Sequence, residues 1–121
     1  MNLRTSFSAI AALLFITLGS GPLHASQLVK LMHQDEETLN TTYQRVLKRM
    51  PNDASREKLK AAQRAWIAWR DAEIALEVAL YGEFDGKTDV YKQIDLTEAR
   101  IHVLEDIERE VREAAKMRSN R

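Results

Sequence analysis

From residue 26 onward the chain places apolar side chains at three- and four-residue steps in three successive stretches. In the first, Leu28, Leu31, Met32, Leu39, Tyr43, Val46, Leu47 and Met50 share one side, while Asp35, Glu36, Gln44, Arg45, Lys48 and Arg49 occupy the other. That period is the mark of an amphipathic helix and predicts one over residues 26–50. Pro51 disfavours helical geometry at the residue before it, and Asn52 and Asp53 are candidate caps for the next helix. A second helix is expected over 54–80, with Leu59, Ala62, Trp66, Trp69, Leu76 and Leu80 on one stripe and Ile67, Ile74 and Val78 beside it. So broad an apolar surface suggests a helix packed against two neighbours. Tyr81 to Asp89 is the one glycine-bearing segment after residue 25 and reads as a loop. Val90, Ile94, Ile101, Leu104, Ile107 and Val111 then predict a third helix over 89–115, capped by Thr88 or Asp89, with Met117 to Arg121 fraying. Short connections make an all-α, antiparallel three-helix bundle the economical fold.

Both tryptophans fall in the segment Gln63 to Glu73, three residues apart on the second helix. Indoles at that spacing point to one side and bury a large area, so this segment is expected to seed the core.

The N-terminal residues break with the periodic pattern. Arg4 precedes an apolar run from Ala9 to Leu18, and Leu23-His24-Ala25 supplies a small residue before a cut. This is the layout of a secretory signal peptide over 1–25, with a run too short for a membrane-spanning helix. A periplasmic or secreted location follows, without stable membrane insertion after cleavage. Residues 26–121 are enough for one modest domain. Exported domains of this size often rely on disulfides, but the chain has no cysteine, so packing must hold it together. Eighteen basic and 18 acidic side chains cancel, which gives no general attraction to nucleic acid.

Little in the chain resembles catalytic machinery. No serine, threonine or histidine sits in an acyl-transfer motif, and His33 and His102 lie on different helices with no zinc-binding spacing. Glu83, Asp85 and Asp89 lack the full calcium-loop pattern and read as a solvated acidic turn. No enzyme activity, metal or cofactor is expected. Gln63, Arg70 and Glu77 are seven apart on one edge of the second helix, and Thr97 and Arg100 share a face of the third. They form either a partner-binding face or a polar network between helices, and pairing of buried polar groups favours the network. An arginine there can stack on tryptophan and reach Asp71 or Glu73. Tyr81 and Phe84, beside Glu83 and Asp85, are the candidate contact for a protein partner. The dense run from Glu105 to Glu113 reads as a solvated face.

Three pieces carry a resemblance: Leu39-Asn40-Thr41-Thr42-Tyr43, then Gln63, Trp66, Arg70 and Asp71, then Leu96-Thr97 with Arg100 and Leu104. In this order and spacing they resemble the LprI-like lysozyme inhibitor N-terminal domain family, across nearly all of residues 26–121. The resemblance implies a small, exported, helical, non-catalytic binding protein that inhibits lysozyme by occluding its cleft. The alternative is an envelope interaction module, chaperone-like or an immunity protein. It also makes Tyr43, Gln63, Trp66, Arg70, Asp71, Thr97 and Arg100 the family's motif positions. Many members carry a cysteine at the position of Ile74 and another near Lys92 to Ile94, so the disulfide implied between helices two and three is replaced here by apolar packing of Ile74.

Overall fold

The computed structural model describes residues 25–82 and 87–121. The expected signal peptide therefore lies outside the described residues, apart from Ala25, as do the loop positions Glu83, Phe84 and Asp85. Three helices make up the described chain: α1 (Ala25–Arg49), α2 (Asp53–Tyr81) and α3 (Thr88–Ser119). Cross-links show their directions. Glu36 and Arg45 of α1 meet Thr97 and Glu108 of α3 in the same order, so these two helices run parallel. Gln63 and Arg70 of α2 meet Arg100 and Thr97 in reverse order, so α2 runs against them. The result is an up-down-up bundle.

The turn after α1 follows from its residues. Asn52 caps α2: its side-chain oxygen accepts from the Ser55 backbone N–H at 2.8 Å, and the Ser55 hydroxyl completes a capping box. Arg56 folds back to donate to the Met50 carbonyl at 3.1 Å, tying the new helix to the end of the old one. At the far end Gly82 adopts φ +65°, a left-handed conformation that suits glycine, and its N–H donates to the Val78 carbonyl at 2.9 Å. The N-cap of α3 falls on Lys87, so Thr88 and Asp89 lie within its first turn rather than capping it. There the Asp89 carboxylate accepts from the Val90 N–H and its charge suits the helix N-terminus. α3 also continues to Ser119, beyond the expected end at 115; Lys116 and Arg118 in its last turn favour the C-terminal dipole.

The core lies mainly between α1 and α3, which make most of the inter-helix contacts; α2 leans on α3 and barely touches α1. Leu39, Val46, Leu59, Ile101 and Leu104 form the central cluster, with Tyr43, Leu47, Met50, Trp66 and Ile107 packed against it. Leu28 and Ile94 are buried towards the other end.

This asymmetry corrects the reading of α2 as a helix covered on two sides. Its buried residues are Leu59, Gln63 and Arg70, while Trp69 is 48% exposed and Leu76 51%. Residues three apart lie about 60° from one another around a helix. α2 presents a narrow face to α3, so Trp66 reaches the core and Trp69 falls outside it. Only half of the expected tryptophan core forms.

Candidate functional site

The buried surface of α2 is polar where a bundle normally places leucine. Arg70 follows Trp66 by one turn, and its guanidinium lies 5.1 Å from the centre of the indole ring. Arg100, reaching from α3, lies 5.7 Å from the same ring. Both distances fall within the range of cation–π attraction. Arg100 Nε also donates to Gln63 Oε1 at 3.0 Å, which holds the guanidinium at the indole from a second direction. Burial lowers the Arg100 pKa from its ordinary value.

A second knot joins all three helices. Arg70 Nη1 donates to the Glu36 carboxylate on α1 and to Thr97 Oγ1 on α3 at 3.4 Å. Gln93 Nε2 donates to the same Glu36 oxygen at 3.0 Å, and Thr97 Oγ1 lies 3.5 Å from it. Arg70 Nε reaches Asp71 Oδ1 at 3.3 Å on the solvent side. Arg70 is thus buried with its charge matched by Glu36 and its donors directed by geometry, which fixes the register of α2 on its neighbours.

The structure therefore brings Gln63, Trp66, Arg70, Thr97 and Arg100 into one connected unit, with Asp71 at its rim. Tyr43 lies apart from it, half-buried against the apolar cluster. Ile74 is half-buried and Ile94 buried. Tyr81 stands 57% exposed at the C-terminal end of α2.

Glu36 and Gln93 belong to the same knot but escaped the sequence reading, and so did a further polar tie. Glu108 is buried, not part of a solvated face, and bridges Arg45 Nε at 2.9 Å and Arg49 Nε at 2.6 Å. Burial alone would raise its carboxyl; the hydrogen bond and charge of Arg45, with the charges of Arg49 and Arg112, reverse that and leave its pKa below the ordinary value. The signal for these residues was their register: Glu36 falls in step with Leu28, Met32 and Leu39, and Glu108 in step with Ile101 and Leu104.

One carboxylate is poorly matched. Asp35 Oδ2 is buried with no hydrogen-bond partner among the described residues. Burial, then the Glu36 charge, raise the Asp35 pKa, and burial with the charges of Asp35 and Asp95 raises that of Glu98 on α3.

A shallow recess of about 490 Å³ runs along α1 beside Arg45, Lys48 and Arg49, open to solvent. Among the described residues no group of three His, Cys, Asp or Glu side chains could hold a metal ion, and no helix is long and apolar enough to cross a membrane. What the arrangement does chemically is to lock three helices by directional polar contacts, leaving side chains at the ends and on α2 available to a partner.

Residues 25–104 match the family model described as Lysozyme inhibitor LprI. The match spans both polar knots, from Glu36 through Arg100. No curated protein and no solved structure gives a match to the chain.

Proposed function

Since this chain belongs to the lysozyme inhibitor LprI family, we propose that it is an exported binding protein that inhibits lysozyme by covering its cleft. The family match over 25–104 carries this reading. Residues 1–25 serve as the signal peptide, and 26–121 form the single domain that works in the periplasm or outside the cell. No catalytic step is assigned to the chain; occlusion requires only a rigid surface.

The contact we propose is the end of the bundle where α2 stops. Tyr81 is exposed there, and the sequence continues through Glu83, Phe84 and Asp85. Aromatic side chains ringed by polar ones are favoured at interfaces. The acidic residues suit a basic lysozyme through charge complementarity. The motif residues act behind this surface: Gln63, Trp66, Arg70, Thr97 and Arg100 hold α2 in place, and so support Tyr81 without touching the partner.

Lysis assays with c-type, g-type and i-type lysozymes test the reading. Inhibition of at least one by the purified protein is expected, and Tyr81→Ala should weaken it about tenfold with an unchanged helical circular dichroism signal. No inhibition of any type at micromolar excess would overturn it. A pull-down from periplasmic extract would then show which envelope protein the module serves.

A further inference from the structure

We infer that the open face of α2 is a self-association surface, pairing antiparallel with α2 of a second copy. The proposal is independent of lysozyme binding and rests on three features of this helix.

The first is exposed apolar area without a partner among the described residues. Trp69 and Leu76 lie on the solvent side of α2, one two-turn step apart, and each is about half exposed. Isolated exposed apolar residues are ordinary, but a contiguous strip marks an interaction site.

The second is the spacing of what lies beside them. Ala61, Ala65, Ala68, Ala72, Ala75 and Ala79 are all exposed and follow one another at steps of four, three, four, three and four. Steps alternating between four and three keep all six alanines on one face, the spacing with which one helix lines a seam against another. The seam is about 27 Å long at the usual helical rise. Alanine at every seam position lets the partner helix come close, and close approach brings the flanking side chains into contact.

The third is the chemistry of those flanks, which selects the occupant and its direction. Trp69 and Leu76 each follow a seam alanine and form an apolar edge. Arg64 and Asp71 each precede one and form a charged edge, basic towards the start of the helix and acidic towards its end. In a parallel pair, opposite edges of the two helices meet, so charge would face tryptophan and leucine. In an antiparallel pair like edges meet: with the two-fold axis between Ile67 and Ala68, Arg64 of one copy faces Asp71 of the other, twice by symmetry, Trp69 faces Ala62, and Leu76 lies towards each end. A second copy thus supplies the complementary charge order that the face requires, in a closed two-fold arrangement.

The strip is short compared with stable interfaces, so association should occur at a Kd on the order of 10–100 µM. Sedimentation velocity over a concentration series reads it directly. The wild-type protein should pass from monomer to dimer across that range. Ala72→Glu, a change that suits an exposed helix, should hold it monomeric with its thermal melt unchanged. Arg64→Asp and Asp71→Arg should each weaken the dimer about threefold to tenfold, and the double exchange should restore it. A wild-type protein that stays monomeric overturns the proposal, and so does a dimer indifferent to Ala72→Glu. Failure of the double exchange to restore association overturns the antiparallel arrangement. Association only in chains that retain residues 1–25 would assign the face to that segment instead.

Discussion

Glu108 offers the sharpest test of how this bundle distributes its polar costs. The carboxylate side chain is 9% exposed, whereas its partners Arg45 and Arg49 are 44% and 46% exposed. The two sides of the pair are therefore unequal. Removing both arginines, as Arg45→Ala with Arg49→Ala, leaves a buried carboxylate facing fewer cations. Breaking a buried pair in that way costs about 3–5 kcal/mol when burial is complete, so about 2–4 kcal/mol is expected here. Removing the carboxylate leaves two guanidiniums that already reach water. Glu108→Leu loses surface-type pairing of about 0–1 kcal/mol per arginine and gains apolar burial of similar size, so its net effect should stay within about 1 kcal/mol.

Urea unfolding followed by circular dichroism measures both variants. A Glu108→Leu protein less stable than the double arginine variant would refute this account. The pH dependence gives an independent check. The pKa of Glu108 is lower in the folded chain than its ordinary value of 4.5. Its contribution is thus fully present above the unfolded pKa and lost as pH falls through the folded value. Without Arg45 and Arg49, burial dominates and the sign reverses, so the double variant should recover part of its deficit on acidification.

Two further outcomes follow from the same structure. Trp66→Ala should cost about 2–3 kcal/mol, less than a full core tryptophan because the indole is half-buried, while Trp69→Ala measured at monomer concentrations should cost under about 1 kcal/mol; equal losses in chemical denaturation would contradict the two placements. Asp35→Asn should raise the Tm at neutral pH, because the raised pKa of Asp35 means that its ionised form opposes folding. The folded chain holds that proton more tightly, so wild type regains stability as pH falls through the folded pKa and the advantage of asparagine fades. A gain that is the same at neutral and strongly acidic pH would sink the assignment.

The three helices were legible because their signals are local. Apolar steps of three and four, Pro51 with Asn52, and Gly82 mark spans that need no knowledge of the partner surface. The motif residues were legible as a set, whereas the partners of Arg70 and Arg100 come from the structure alone. Which stripe of α2 meets α3 was not legible. Periodicity gives the faces of a helix but not the number of neighbours, so Trp69, Leu76 and Leu80 were placed inside when they lie outside. Glu108 was hidden for a different reason: its neighbours in sequence are charged, and only its register with Leu104 separates it from them. Glu83, Phe84 and Asp85, proposed as part of the contact, lie outside the described residues.

The lean attachment of α2 has a consequence for motion. Release of this helix from α3 exposes Leu59 and the half-buried Trp66, Ile74 and Val78, and otherwise breaks hydrogen bonds and ion pairs that water can replace. Such an opening has a low free energy compared with separating α1 from α3, where most of the core lies. Backbone amides of α2 should therefore exchange with deuterated solvent faster than those of α1 and α3 near Val46 and Leu104. Anything that settles on the outer side of α2 supplies apolar contacts that this helix lacks among the described residues. Binding there and the ordering of α2 then become one equilibrium, and slowed exchange along the whole helix would be its signature.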